Sequence, residues 1–185
     1  MHRNWLRQKL ENYQPATPTE AASLIKVLDL LEHHPRCFER DYYTPGHITG
    51  SAWIVNRDRT KALLHKHRKF NTWIQLGGHS DSDPFTNLVA LREAEEESGL
   101  KSVRLVSDDI FDIDAHDIDS PTHPQKHLHC DIRFLVEADE NEAFSPIEGE
   151  SKELAWIPLE EIAQYNREES ITRLAEKAKK LSHEN

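Results

Sequence analysis

The chain has 185 residues, of which 37% are hydrophobic and 30% are charged, and its formal net charge is −10. This composition is typical of a folded, water-soluble protein, and no apolar run reaches the roughly 20 residues of a membrane helix. The acidic balance disfavours binding to nucleic acid or to anionic membranes, because both carry negative charge. We expect a single domain over 1–185 and a cytoplasmic location, since the N-terminus lacks the apolar segment of a signal peptide.

The first part of the chain, 1–45, is expected to be a helical extension of that domain. From Pro18 to about His33, apolar residues recur at helical spacing. Thr17 is placed to cap this helix, and Pro18 stands in its first turn. We expect the helix to pack on the core that follows.

The middle of the chain alternates strand and turn signals, which predicts a sheet. A strand is expected over His47–Asn56, and its return strand starts at Ala62. A basic loop is expected next, over 65–69. It is either a solvated loop or a phosphate-binding loop, with Arg68 and Lys69 as candidates for contact with substrate phosphates. The other expected elements are short strands at 73–76, 103–106 and 110–113, a loop over 115–126, a long strand over 127–138, an acidic loop over 139–151, a strand at 154–157, and helices over 158–165 and 170–181.

A helix is expected directly after the turn at Gly77-Gly78, where the backbone can approach a ligand closely. Asp83 is expected to be its N-cap and Pro84 its first helical residue. Gly99 is expected to end it.

Three glutamates on this helix are candidate metal ligands. Glu93, Glu96 and Glu97 are spaced i, i+3 and i+4, which places them on one face. Such a cluster is destabilising unless it is solvated or neutralised. Carboxylate oxygens are the ligands that Mg²⁺ and Mn²⁺ prefer, so a cation would neutralise it.

The segment from Gly78 to Leu100 resembles the Nudix box, which reads Gly, five residues, Glu, seven residues, then Arg-Glu-apolar-any-Glu-Glu-any-Gly-apolar. The matching positions are Gly78, Arg92, Glu93, Ala94, Glu96, Glu97, Gly99 and Leu100. The resemblance implies an α/β Nudix fold, with a mixed β-sheet sandwiched between helices (α/β/α). The core would occupy 46–165, with the helical extension before it and a C-terminal helix over 166–185.

One position departs from the box. Pro84 stands where the family has its first Glu. By similarity that Glu supports the loop and the start of the helix. Asp81 or Asp83 is expected to take over this role, with Asp83 doing so as the N-cap.

The resemblance also implies roles for the matched residues, with Mg²⁺ or Mn²⁺ as cofactor. Glu96 and Glu97 would hold the metal, and Glu93 would ligate it or help to deprotonate water. Arg92 would orient these glutamates. The remaining implied ligands are a carbonyl of Gly77 or Gly78 and a glutamate from outside the box, with Glu150 the first candidate and Glu148 and Glu153 the alternatives.

A second group of candidate ligands consists of histidines, of which the chain has twelve. Because side chains alternate along a strand, His127, His129, Asp131 and Arg133 share one face of the strand over 127–138. Asp131 and Arg133 are candidates for substrate contact. We expect the histidines that belong to no motif to lie at the surface, namely His2, His33, His34, His116 and His183. The cysteines, Cys37 and Cys130, stand far apart, which disfavours a disulfide framework or a cysteine zinc site.

His47 and His79 are expected to join His127 and His129. These four positions resemble the metal-site positions of isopentenyl-diphosphate isomerases, which share the Nudix fold. The resemblance implies a transition-metal site here; the alternative is that the histidines bond substrate or backbone without metal. The catalytic Cys of that enzyme falls on Gly77, which disfavours isomerase chemistry.

The sequence therefore predicts a metal-dependent hydrolase that cleaves a diphosphate linkage in a nucleoside-diphosphate-like small molecule. Metal would lower the pKa of a bound water and neutralise phosphate oxygens. The alternatives are a nucleotide-binding regulatory module that does not hydrolyse its ligand, and an isoprenoid-diphosphate isomerase-like enzyme. The expected partner is a small phosphorylated substrate, and the oligomeric state, monomer or homodimer, stays open.

Overall fold

The structure is a computed structural model that describes residues 3–68, 71–120, 123–146 and 151–182. The helices are α1 (Arg3–Asn12), α2 (Pro18–His33), α3 (Thr86–Ser98), α4 (Ile162–Tyr165) and α5 (Glu169–Ser182), with a 3₁₀ turn at Leu159–Glu161 before α4. The strands are β1 (Gly46–Val55), β2 (Lys61–His67), β3 (Trp73–Ile74), β4 (Leu76–His79), β5 (Arg104–Ser120), β6 (His123–Glu137) and β7 (Ser151–Pro158). These elements confirm the α/β class.

The described chain forms two compact units, each built from separate chain segments. The first unit comprises the residues up to Ser51, together with Gly78–Ala90 and Asp108–Phe134. The second unit comprises Ala52–Gly77, Leu91–Ser107 and the residues from Leu135 onward. The division of the chain into extension, core and C-terminal helix stays a prediction.

Strand order in the sheet is β3-β2-β1-β6-β5, with β4 paired to β1 and β7 paired to β2. In the second unit, β1 and β2 are antiparallel, with Ile54 opposite Leu63. β2 is also antiparallel to β7, with Leu63 opposite Trp156. The strand interiors carry fully buried apolar side chains, which are typical of a central sheet.

The N-terminal extension contains the expected helix and one more. The Thr17 hydroxyl accepts a hydrogen bond from the Glu20 backbone nitrogen, and Pro18 opens α2, which confirms the predicted cap. The sequence analysis missed α1, although its buried Leu6 and Leu10 have the i, i+4 spacing of a helix face. No described helix has both the length and the apolar character needed to cross a membrane.

Three expected local structures are wrong. The loop expected over 115–126 is largely strand, because β5 runs unbroken from Arg104 to Ser120 and β6 starts at His123. The polar residues that suggested a loop include His116, whose ring nitrogen Nδ1 lies 2.8 Å from a carboxylate oxygen of Asp114; Asp114 in turn pairs with Arg133 of β6. A charged side chain paired across strands is compatible with a sheet.

The basic loop expected over 65–69 is also shorter than predicted. His65, Lys66 and His67 continue β2, where they pair with β3 and β7. Arg68 is exposed just beyond the strand, and Lys69 lies outside the described residues. Strand pairing on both sides of β2 outweighs the polar local sequence.

Asp83 is not the N-cap of α3. The helix begins at Thr86, and the Asp83 carboxylate instead accepts a hydrogen bond of 2.9 Å from the Phe85 backbone nitrogen. This is the local turn that Asp favours, and it places Pro84 before the helix rather than in it. Asp81 forms an ion pair with Arg40. The predicted end of the helix is confirmed, since Gly99 has φ of +72°.

Candidate functional site

The glutamates of the box lie on the C-terminal half of α3, within the second unit. Arg92 stands beside two of them: its guanidinium lies 3.0 Å from Glu93 and 3.7 Å from Glu96. Glu93 is mostly buried, whereas Glu96 is half-exposed. Arg92 therefore offsets the repulsion between like charges one turn apart on the helix.

Glu97 is held from two directions. Its Oε2 accepts a hydrogen bond of 2.9 Å from the Gly77 backbone nitrogen, and its Oε1 lies 3.6 Å from Nδ1 of His65. The Glu97 side chain is 12% exposed, and His65 is buried. His65 is a neighbour of the site that the sequence analysis missed, because it was assigned to a solvated loop. The period-2 placement of His65 after the buried Leu63 was the available signal.

The three carboxylates are not drawn together in this arrangement. In the described part of the chain, Glu93, Glu96 and Glu97 do not bring one oxygen each to within 4.8 Å of one another. Glu93 and Glu96 contact Arg92, whereas Glu97 contacts the Gly77 nitrogen.

The remaining predicted metal ligands of this site are the glutamates outside the box and Gly78. Glu150 and Glu148 lie outside the described residues, so their predicted role as ligands remains a prediction. Glu153 is exposed on β7, with an oxygen 3.8 Å from Nζ of Lys66. Gly78 is half-buried in β4.

Arg133 and Asp131, which we expected to contact substrate, form a buried ion pair with each other. Arg133 is 2% exposed, and its three guanidinium nitrogens face Asp131 at 2.8 Å, Asp112 at 3.2 Å and Asp114 at 3.4 Å. The substrate assignment is therefore wrong for this buried pair. Burial by itself would lower the pKa of Arg133, but the three carboxylates outweigh it and raise that pKa above its ordinary value.

Asp131 also has neutral partners inside the first unit. Its Oδ1 accepts hydrogen bonds from the hydroxyls of Thr49, at 3.0 Å, and Ser51, at 2.7 Å. Both hydroxyls come from β1, so the carboxylate links β1 to Arg133 of β6. The Asp131 carboxylate thus has hydrogen-bond partners within the protein, and these contacts connect neighbouring strands of the sheet.

The first unit also brings together the four predicted histidines. The ring of His47 on β1 has its centroid 5.1 Å from that of His127, 4.5 Å from that of His129 and 5.0 Å from that of His79. The Nε2 atoms of His127 and His129 lie 3.2 Å apart. One ligand atom each of His47, His127 and His129 lie within 4.8 Å of one another, which confirms the predicted convergence for these three, and the ring of His79 lies next to them.

His116 was expected at the surface and is half-exposed, yet its ring lies 6.2 Å from that of His129. A hydrogen bond with Asp114 raises its pKa above the ordinary value. The sequence analysis missed this neighbour because it assigned 115–126 to a loop.

Close backbone approach positions the first of these histidines. A Cβ at Gly46 would lie 1.9 Å from the Leu128 carbonyl oxygen, so only glycine fits there. The Leu128 backbone nitrogen in turn donates a hydrogen bond to the Pro45 carbonyl. The start of β1 is thereby held against β6 at the level of His127 and His129.

Burial favours the uncharged imidazole at two of these histidines, His47 and His129. Burial, reinforced by His79, lowers the pKa of His47 to about 4. Burial, reinforced by the surrounding histidines, lowers the pKa of His129 to about 2. A neutral imidazole has a free lone pair, which is the form that binds metal.

Comparison with known proteins extends the resemblance beyond the box. A family model for the NUDIX domain matches residues 47–178. A probable DHNTP pyrophosphohydrolase of Lactococcus lactis subsp. cremoris is 26% identical over 167 residues, which is 84% of this chain and 92% of that protein. A NUDIX-family hydrolase structure from Clostridium perfringens is 28% identical, with a TM-score of 0.55 over 73% of this chain and 97% of its own. The dihydroneopterin triphosphate pyrophosphohydrolase of E. coli shares the fold, with a TM-score of 0.57 at 15% identity over 73% of this chain and 94% of its own.

Proposed function

The chain belongs to the NUDIX family of pyrophosphohydrolases, and we propose that it is a divalent-metal-dependent hydrolase that cleaves a diphosphate linkage in a nucleoside-diphosphate-like small molecule. The observation that carries the proposal is the set of box glutamates on α3, with Glu97 fixed to the Gly77 backbone. An acidic helix kept only for solubility would not need a mostly buried carboxylate tied to the preceding turn.

The residues present fit Mg²⁺ or Mn²⁺. Glu93, Glu96 and Glu97 offer hard oxygen donors on one helix, with Arg92 beside the first two and His65 beside the third. When bound, the metal neutralises phosphate oxygens and lowers the pKa of an attacking water. Glu96 and Glu97 would hold it, with a carbonyl oxygen of Gly77 or Gly78.

The other side chains of the site would orient and accept protons. Glu93 would either bind the metal or act as the general base that receives the proton of the attacking water. Arg92, 3.0 Å from Glu93, would fix the orientation of that carboxylate. His65, 3.6 Å from Glu97, would hold the second oxygen of that residue while the first bonds Gly77.

Net charge supports the requirement for metal. The chain carries a formal charge of −10, so an anionic substrate is repelled unless cations neutralise the site. Arg68, exposed just beyond β2 in the same unit as the glutamates, is a candidate phosphate contact. Lys69 shares this proposed role from outside the described residues.

The relative from Lactococcus supports a nucleotide-like substrate, since its name describes a pyrophosphohydrolase of DHNTP. The experiment is a screen of the purified protein against dihydroneopterin triphosphate, nucleoside diphosphate sugars, dinucleoside polyphosphates and nucleoside triphosphates. Phosphate or diphosphate products are measured with Mg²⁺, with Mn²⁺ and with a chelator.

We expect cleavage of at least one substrate that requires added metal and stops with the chelator. Tight binding of a nucleotide without any cleavage would instead favour a regulatory module. Cleavage that is unaffected by the chelator would overturn the assignment of the glutamates.

A further inference from the structure

One buried nitrogen in the first unit has no hydrogen-bond partner. The Nε2 atom of His47 is buried without one, and the whole residue is 1% exposed. Buried polar atoms almost always have a hydrogen-bond partner, because an unpaired one loses its hydration without compensation. The orphaned nitrogen therefore points to a ligand that completes the site.

The other nitrogen of the same ring shows which form of the imidazole is present. Nδ1 of His47 lies 3.2 Å from the Tyr42 carbonyl oxygen. A carbonyl only accepts, so Nδ1 carries the hydrogen and donates it. Nε2 is then the lone-pair nitrogen, and a ring oriented by a backbone carbonyl in this way is typical of a histidine that binds metal.

Two further nitrogens converge on the same space. The Nε2 atoms of His127 and His129 lie 3.2 Å apart. A tetrahedral zinc ion with bonds of about 2.0–2.1 Å separates its nitrogen ligands by about 3.3 Å. One ligand nitrogen each from His47, His127 and His129 all lie within 4.8 Å of one another, so a small contraction brings them to that geometry.

We propose that His47, His127 and His129 bind one transition-metal ion of the Zn²⁺, Co²⁺ or Ni²⁺ class, with His79 as the fourth ligand. His79 is the last residue of β4. Its ring centroid lies 5.0 Å from that of His47 and 5.5 Å from that of His129. Four imidazoles form a site that suits these borderline metals, whereas Mg²⁺ prefers oxygen donors.

The site would join three strands of one unit. His47 comes from β1, His79 from β4, and the remaining pair from β6. The backbone contact of Gly46 with Leu128 already holds the first and the last of these strands together, so the ligands are organised before metal arrives. This proposal goes beyond the hydrolase activity and does not depend on it.

Metal content and ligand identity test the proposal. The protein is loaded with Co²⁺ or Zn²⁺, excess metal is removed by gel filtration, and bound metal is measured by mass spectrometry. We expect one equivalent of Co²⁺ with the visible absorption bands of a tetrahedral complex. In protein with ¹⁵N-labelled histidine, Zn²⁺ should shift the Nε2 resonance of His47. The Nδ1 resonance should stay at the position of a protonated nitrogen.

Variants separate this site from other histidines. His127→Ala/His129→Ala should lose the bound metal, and His79→Ala should weaken binding by about tenfold, the equivalent of 1.4 kcal/mol. The matched control is His33→Ala, because His33 is exposed on α2 beside Asp29 and should leave the stoichiometry at one. Glu97→Gln should also keep it at one, which distinguishes failure of this proposal from failure of the hydrolase assignment.

Wild-type protein that retains no Co²⁺ after gel filtration would overturn the proposal. So would a double variant that binds as much metal as the parent. If the double variant does not fold, as judged by circular dichroism, the ¹⁵N spectrum of the wild type decides: unchanged His47 resonances on addition of Zn²⁺ exclude the site.

Discussion

The Oε2 atom of Glu97 accepts a hydrogen bond of 2.9 Å from the backbone nitrogen of Gly77. The turn before α3 and a glutamate at the end of that helix are thereby joined across twenty residues of sequence. Because a backbone donor cannot rotate away, one oxygen of the carboxylate has a fixed position. The proposed metal ligand Glu97 is thus positioned by the turn, not by its own rotamer alone.

Glu97→Gln tests the charge of this residue. The glutamine oxygen can still accept from Gly77, so the fold should be kept while the charge needed by the metal is lost. We expect the hydrolysis rate to fall on the order of 100-fold or more, as loss of an electrostatic group at a reacting centre typically gives. The matched control is Glu95→Gln, an exposed residue of the same helix, which should retain near-parental turnover. Equal rates in both variants would remove Glu97 from the site.

Arg133→Ala should strongly destabilise the protein. It would leave Asp112, Asp114 and Asp131 buried without their cation, and breaking a buried ion pair in this way costs about 3–5 kcal/mol. Urea denaturation measures the free energy of unfolding. Arg104→Ala is the control, since its partner is Glu137 and Arg104 is 66% exposed, so it should cost at most about 1 kcal/mol. Similar losses in the two variants would contradict the role given to Arg133.

Gly99→Ala should lower stability through the backbone. Gly99 has φ of +72°, and an added Cβ would lie 2.0 Å from the Ser145 carbonyl oxygen. The left-handed conformation alone costs a non-glycine residue about 1–2 kcal/mol, and the clash adds to it. The thermal midpoint should fall by several degrees. An unchanged midpoint would show that the segment around Ser145 moves aside freely.

The thiols should be inert in the folded protein. Burial raises the pKa of Cys37 to about 11 and that of Cys130 to about 12, so at pH 8 both stay protonated as well as covered. Because the thiolate is the nucleophile, a disulfide reagent such as Ellman's should react with neither in native buffer and with both in guanidinium chloride. Rapid reaction of either thiol under native conditions would contradict this prediction.

Local signals in the sequence predicted what local physics controls. The Thr17 cap, the end of α3 at Gly99 and the alternation along β6 all depend on neighbours within a few residues, and each is confirmed. The box places its glutamates correctly on α3 for the same reason.

Long-range partners explain the errors. The polar residues after Asp114 favour a loop in the sequence, whereas in the structure β5 continues to Ser120, and Asp112 and Asp114 of the same strand pair with Arg133 about twenty residues later. His65 reads as a solvated residue until Glu97 is brought to it by the fold. Asp83 is of a residue type that often caps helices, but it lies three residues before Thr86, the first residue of α3, and its carboxylate accepts a hydrogen bond from the Phe85 nitrogen instead.

The buried Arg133 cluster also limits how this protein can change by mutation. Replacing Arg133 alone leaves three buried carboxylates without a cation. Replacing one aspartate alone leaves the buried guanidinium with fewer carboxylate partners, so each of these single substitutions is expected to be destabilising. An apolar core of similar volume at these four positions would be at least as stable, yet it is reached only if all four change together. The cluster is expected to persist across descendants of this sequence even where the substrate of the enzyme diverges.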